Sequence, residues 1–147
     1  MVVAIKVAVN GSMRKVLIAK YMSRCMGCMS CMFACARRVR KSLSVAKSAI
    51  RIKTKGGYSS GNMVADHCLG CEEPPCIPFC PEGALVKRKN GGIILKPDLC
   101  NGCKKCIEGC PVRAIFWDEE KKLPIFCIHC GNCVEFCPHK CLEIGEI

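Results

Sequence analysis

Seventeen cysteines stand in a chain of 147 residues, and sixteen of them fall into four clusters of one design. These are CMGCMSCMFAC from Cys25 to Cys35, CLGCEEPPCIPFCP from Cys68 to Pro81, CNGCKKCIEGCP from Cys100 to Pro111, and CIHCGNCVEFCP from Cys127 to Pro138. A thiolate can be a nucleophile, a redox centre or a soft metal ligand, so spacing has to choose. Three cysteines two residues apart let one loop wrap a corner of a cube and offer three thiolates to three irons, while the fourth lies beyond. Tetrahedral zinc sites use two separated pairs, whereas C-x-x-C-x-x-C-x-x-x-C recurs here in three of the four copies. An odd cysteine count disfavours a disulfide framework. The pattern predicts four 4Fe-4S clusters.

The repeat runs on past the cysteines. CPEGAL at Cys80 to Leu85, CPVRAI at Cys110 to Ile115 and CPHKCL at Cys137 to Leu142 superimpose without gaps, so Cys141 falls where Ala84 and Ala114 stand. That register predicts a small buried residue at Cys141 and not a further ligand. His67, His129 and His139 lie beside cysteines. No copy lacks a thiol for them to replace, so they are expected to surround the ligands or to lie at the surface, tuning potential. Gly27, Gly70 and Gly102 each precede a second cysteine, where a missing Cβ lets backbone amides approach a cluster. Met22, Met26, Met29 and Met32 crowd the first motif and are expected to pack around it.

The elements that must position these loops are short. ALVKRKNGGIILK reads as two strands around a turn at Asn90 to Gly92, and AIFWDEEKKLPIF as two more around Asp118 to Lys122. Ser48 to Lys55 alternates Ile50 and Ile52 with basic residues, as a half-exposed strand does. Each cysteine loop is expected between a strand and a helical turn opened by proline, except in the first motif, where Ala36 follows the last cysteine. The fold class is therefore α+β, a doubled bacterial-type ferredoxin arrangement. Little else is available for a core, so the clusters should act as one and the apoprotein should be poorly folded.

The formal net charge of +11 is unevenly placed, with thirteen Lys and Arg and no acid in the first 60 residues. Four thiolate-bound cubanes would contribute about −8 and bring the +11 chain near +3, so much of the basicity is internal compensation. A basic segment also suits nucleic acid, but no aromatics interleave between Arg37 and Lys55, which speaks against such a partner. The apolar run Val2 to Val9 is short and interrupted by Lys6, so it reads as neither signal peptide nor membrane span, and a cytoplasmic location is expected.

With four consecutive motifs, the first lacking its proline and the second reading CLGCEEPPCIPFCP, the sequence resembles the four-cluster ferredoxin-like electron-transfer subunits of molybdenum and tungsten enzymes. The compact fourth motif CIHCGNCVEFCP and the ending CLEIGEI look most like the iron-sulfur subunit of aldehyde ferredoxin oxidoreductase-type tungsten enzymes. Dimethyl sulfoxide reductase-type subunits usually carry a wide insertion between the second and third cysteines of that motif, where Cys130 and Cys133 here enclose only Gly131 and Asn132. The resemblance covers Met13 to the C-terminus. It implies one domain over 1–147, with an inner unit at about 64–116 and an outer unit from 13–55 plus 117–147. It also implies crossed ligation. Cys68, Cys71, Cys76 and Cys110 would hold one cluster; Cys100, Cys103, Cys106 and Cys80 its neighbour. Cys25, Cys28, Cys31 and Cys137 would hold a third; Cys127, Cys130, Cys133 and Cys35 a fourth.

The function implied is a non-catalytic relay of single electrons in an anaerobic oxidoreductase. Its partners would be a tungsten- or molybdenum-pterin catalytic subunit and a ferredoxin or flavin-containing protein. Clusters near both ends of such a relay would also permit stacking of copies. An equivalent relay for a hydrogenase, formate dehydrogenase, carbon monoxide dehydrogenase or dimethyl sulfoxide reductase-type enzyme would share every motif. A cluster-containing nucleic-acid-binding protein is the alternative from another class. No nucleophile or acid-base constellation argues for catalysis by the chain itself.

Overall fold

The computed structural model describes residues 14–56 and 61–147. The run Val2 to Val9 and Met13 lie outside them. In chain order the elements are β1 (Lys15–Ile18), α1 (Ser30–Arg40), β2 (Arg51–Thr54), β3 (Met63–Asp66), β4 (Leu85–Lys87), β5 (Ile93–Leu95), α2 (Lys105–Gly109), β6 (Phe116–Asp118), β7 (Leu123–Ile125), α3 (Asn132–Phe136) and β8 (Glu143–Glu146). The strands form four antiparallel two-stranded ribbons. Three of them, β2–β3, β4–β5 and β6–β7, connect one cysteine loop to the next. The fourth joins the ends of the described chain, with Lys15 of β1 opposite Glu146 of β8. Isolated two-stranded ribbons are marginal in water, so each must rest on the loops beside it.

The strands expected around Asn90 to Gly92 and Asp118 to Lys122 are β4–β5 and β6–β7, and the half-exposed strand is β2. The β4–β5 turn needs its glycines. Gly91 has φ +93, and a Cβ there would stand 2.9 Å from the Gly70 carbonyl oxygen, so the hairpin tip lies directly on the second cysteine loop.

Where the helical turns lie differs from expectation. They begin before the fourth cysteine of each motif, as α1, α2, α3 and a single 3-10 turn at Ile77–Phe79, and all but α1 end there. The prolines after Cys80, Cys110 and Cys137 open four-residue turns instead, closed by the amides of Gly83, Arg113 and Lys140 onto the cysteine carbonyls at 3.4, 3.1 and 3.4 Å. Proline's fixed φ suits the second position of such a turn.

The same rule explains the first motif. With Ala36 in place of proline, α1 continues to Arg40 before Lys41, at φ +51, ends it and the Ser42 amide returns to the Ala36 carbonyl. Three arginines in its last turn, Arg37, Arg38 and Arg40, complement the helix dipole. The chain rejoins the repeat at Ala49 and Ile50, which enter β2 as Ala84 and Leu85 enter β4, Ala114 and Ile115 enter β6, and Cys141 and Leu142 enter β8. All eight residues are 4% exposed or less. The first copy is thus a regular one carrying an insertion.

Two apolar groups form the core. One gathers Leu17, Met32, Ile50, Ile125 and Leu142 with Cys31, Cys35, Cys127, Cys133, Cys137 and Cys141. The other gathers Leu85, Ile93, Ile115 and Phe126 with Cys76 and Cys106. Cysteines make up much of both. Among the described residues, no helix is long and apolar enough to cross a membrane.

Candidate iron-sulfur centres

The loops are shaped by residues with positive φ. The residue before the second cysteine of every motif is in the left-handed region: Gly27 at +76°, Gly70 at +66°, Gly102 at +77° and His129 at +56°. In three motifs the residue after that cysteine is too, namely Met29, Lys104 and Gly131, each capping the helix that follows. Alternating right- and left-handed residues turn successive N–H groups to one side, the concave arrangement that receives anions and iron-sulfur clusters.

The sixteen cysteines come together as follows. One cavity is bordered by Cys25, Cys28, Cys31 and Cys137, with Cys141 also in its wall, a second by Cys68, Cys71, Cys76 and Cys110, and a third by Cys80, Cys100, Cys103 and Cys106. They enclose similar empty volumes, about 350, 390 and 310 Å³ respectively. Among the described residues no three His, Cys, Asp or Glu side chains close on a single-ion point; the thiols stand around spaces. The remaining cysteines, Cys127, Cys130, Cys133 and Cys35, are neighbours by their electrostatics. Burial first, then the proximity of Cys35, pushes the Cys133 thiol up to about 12.

The same order of causes holds elsewhere. Burial, then Cys137, raises Cys31 to about 11, and burial, then Cys68 and Cys110, raises Cys76 to about 12. Burial also pushes Cys127 up. These are thiols held among other thiols with little water, a setting that favours proton loss only to a cation or metal.

Backbone amides address the sulfurs in a repeated way. Ala49, Ala84, Ala114 and Cys141 donate to Sγ of Cys35, Cys80, Cys110 and Cys137 at 3.3, 3.3, 3.3 and 3.4 Å. The amide of His129 donates to Cys127 Sγ at 3.3 Å. Such bonds favour the thiolate and, in a cluster, raise its reduction potential. Cys141 is 2% exposed at the place of Ala84 and Ala114 and, as theirs do, its amide donates to a neighbouring cysteine's sulfur; its thiol also lies against Cys137 and Cys25.

Three buried side-chain donors have no protein acceptor among the described residues: Nε2 of His129, Nη1 of Arg88 and Nε1 of Trp117. The amide of Leu17 donates to His129 Nδ1 at 2.9 Å, so the ring proton sits on Nε2. Burial, with Arg88 and His67 nearby, lowers this imidazole's pKa to about 4 and keeps it neutral. A Cβ on Gly70 would lie 3.1 Å from that Nε2, which places the ring between the second and fourth cysteine loops. Trp117 borders the cavity of the third loop. Buried donors beside the cysteine loops, together with thiols grouped around spaces of similar size, fit anionic clusters.

His67, like His129, is buried, at 6% exposure each, while His139 is exposed. The methionines divide. Met32 is buried, whereas Met26 and Met29 are 67% and 44% exposed, so packing accounts for only part of that group.

The fold and these loops define a ferredoxin-like 4Fe-4S protein. Residues 60–147 match the 4Fe-4S dicluster domain, and residues 22–38 match a 4Fe-4S binding domain. The chain belongs to the 4Fe-4S dicluster domain family and binds 4Fe-4S clusters. It is 33% identical to the B subunit of polysulfide reductase from Wolinella succinogenes, over 70% of this chain and 56% of that one. It is 33% identical to the B subunit of anaerobic dimethyl sulfoxide reductase from Escherichia coli, over 67% and 53% of the two. With the B subunit of tetrathionate reductase from Salmonella typhimurium it shares 28%, over 71% and 43%. The match thus spans about half the length of these relatives.

What sequence reasoning missed is the support around the loops. Asp118, read only as a turn residue, is 1% exposed and accepts from Arg40 Nε at 3.1 Å and from the amides of Glu120 and Lys121 at 3.1 Å each. Its signal was its place as the first of three consecutive acids, directly after the apolar run Ala114 to Trp117. The equivalence of Ala49–Ile50 to the later small-apolar pairs was also visible, once an insertion after Ala36 is allowed.

Proposed function

We propose that this chain is a non-catalytic electron-transfer subunit that relays single electrons through four 4Fe-4S clusters. The ligand sets are the crossed ones: Cys25, Cys28, Cys31 and Cys137; Cys127, Cys130, Cys133 and Cys35; Cys68, Cys71, Cys76 and Cys110; Cys100, Cys103, Cys106 and Cys80. The carrying observation is that, in all three cysteine-lined cavities, a fourth cysteine from another motif borders the space enclosed by a loop's first three. The two ferredoxin-like units of this doubled fold are an inner one at about 64–116 and an outer one from 13–55 plus 117–147, which the two cysteine-rich core groups support.

A cluster, when bound, accepts and releases one electron with little movement of atoms. The chain holds it by thiolates, offsets its charge with amide donors and excludes water with the buried apolar residues. Neighbouring thiols support an order. Cys133 feels Cys31, and Cys127 feels Cys68. Cys76 and Cys106 share one apolar group. Electrons then pass between the first, fourth, second and third loops, each of the first, fourth and third presenting one exposed cysteine, Cys28, Cys130 and Cys103.

Similarity to proteins named as B subunits of reductases supports a place in a multi-subunit oxidoreductase. The compact fourth motif favours a tungsten-pterin catalytic subunit of the aldehyde ferredoxin oxidoreductase type over its molybdenum counterparts, with a ferredoxin or flavin protein on the other side. The test is metal analysis of anaerobically purified protein joined to one variant. About sixteen iron and sixteen sulfide per chain are expected. Cys35→Ala should alter the cluster of the Cys127 loop. Stoichiometric zinc with little iron ends the reading, and a spectroscopic change confined to the Cys25 loop's cluster ends the crossed pairing.

A further inference from the structure

The basic stretch of the first 60 residues is not one surface. Arg40 is turned inward onto Asp118 and the Pro124 carbonyl, and Lys47 pairs with Glu120 and Asp118. Lys53 pairs with Asp66, Lys15 with Glu146 and Lys20 with Glu143. Arg51 lies over the Phe116 ring at 4.2 Å and donates to two backbone carbonyls, and Arg24 lies over Tyr21. Arg14 donates to the Gly70 carbonyl. Within this stretch, Arg37, Arg38 and Lys41 form a contiguous exposed group with no carboxylate within salt-bridge distance.

Those three line one open groove between α1 and α3, whose floor is tied by the Asn132 side-chain amide donating to the Ala34 carbonyl at 3.0 Å. Its other walls are apolar and open: Phe33 is 43% exposed, Phe136 57% and Leu43 70%, and among the described residues no acid lines it. On their other sides the same two helices carry buried Cys31, Cys35 and Cys133. Surface charges are normally mixed in sign, and apolar residues of this size normally scattered. Three unpaired cations around an aromatic groove, one helix away from cluster ligands, make a matched pair of features. Charge complementarity identifies an occupant with carboxylates at its rim and an apolar side chain at its centre, the composition of a protein interface.

We infer that this α1–α3 groove is the docking site for an acidic, apolar-centred segment of the catalytic subunit, which enters the relay beside the first and fourth loops. This rests on the relay reading above and specifies where the partner sits and by what chemistry. Arg37, Arg38 and Lys41 steer and orient the partner, and Phe33 and Phe136 grip it.

The experiment uses the cluster-loaded complex purified anaerobically from its host, treated with a carbodiimide that joins amines directly to carboxylates. Lys41 is expected to be joined to an Asp or Glu of the pterin-containing subunit. Arg37→Ser with Arg38→Ser and Lys41→Ser should keep full iron content and weaken reassociation with that subunit about tenfold or more at low salt, with a shallower salt dependence. Lys89→Ser with Lys96→Ser and Lys105→Ser, the same charge change elsewhere, should have little effect. Phe136→Ser should weaken binding without changing the salt slope. The inference is overturned if Lys41 joins only to a second copy of this chain or to another subunit. It is also overturned if the two triple variants bind alike. If no pterin-containing subunit accompanies the iron-loaded chain, the relay reading itself fails, a result distinct from unchanged docking of a partner that is present.

Discussion

At the residue scale the repeat separates the sixteen cysteines of the four motifs from the one outside them, Cys141, which borders the cavity of the first loop from the position of a small buried residue. Cys141 has the burial and the amide contact of Ala84 and Ala114, so its thiol is packing. Cys141→Ala should therefore keep the full iron and sulfide content and cost no more than about 1 kcal/mol, since it removes one small buried group at a site built for alanine. Cys141→Leu should overpack the same spot and lower stability by about 1–3 kcal/mol. Loss of a cluster in Cys141→Ala, measured as iron per chain, would return it to the ligand set. The register of the repeat made this legible in the sequence. The tautomer of His129 was not, because it depends on Leu17, distant in sequence, donating to its ring.

At the element scale the insertion after Ala36 has to be fastened to something, and Asp118 at the end of β6 does it. Its carboxylate takes Arg40 from α1, the amides of Glu120 and Lys121, and Lys47 at 3.8 Å. Burial acts to raise this carboxyl's pKa, but the Lys121 amide, Lys47, the Glu120 amide and Arg40 outweigh it and hold the group below the usual carboxylate range. A lowered folded value means the contribution to stability is complete above the ordinary carboxylate pKa and is lost as pH falls through the lowered one. Asp118→Asn should cost about 3 kcal/mol by leaving Arg40 buried without its partner. Denaturation followed anaerobically from pH 7 to 3 should show a smaller acid loss in the variant than in the wild type. Parallel pH curves would remove Asp118 from this role. Proline decides where the helices stop: after the last cysteine of a motif it makes a tight turn, and its absence after Cys35 lets α1 run on.

For the whole molecule, cysteines are half of the buried residues in one core group and a third of those in the other. Thiolates released from iron would be charged groups in apolar surroundings, or thiols with spaces between them, and either state costs the core its packing. Removing iron with a chelator under anaerobic conditions should abolish cooperative unfolding and near-ultraviolet dichroism, while the holoprotein melts as a unit. Retention of a native-like spectrum at under about one-tenth of the original iron would show that the ribbons and apolar residues suffice. The four ribbons supply only three- or four-residue strands, which is why this outcome is expected.

The cluster chemistry, the four-part repeat, two of the ribbons and strand β2 were legible in local sequence, because ligand spacing, turn residues and strand alternation act over a few residues. Register also predicted the burial of Cys141 at the place of Ala84 and Ala114. The closing of β1 on β8, the gathering of cysteines from different motifs around one space, and the fate of each basic residue were decided only by the tertiary structure. In the sequence Arg37, Arg38, Arg40 and Lys41 form one basic run. A helix turns its residues by about 100° each, and the hairpin packed against it carries Asp118, so Arg40 is drawn inward while Arg37 and Arg38 remain at the surface with Lys41 just beyond the helix end.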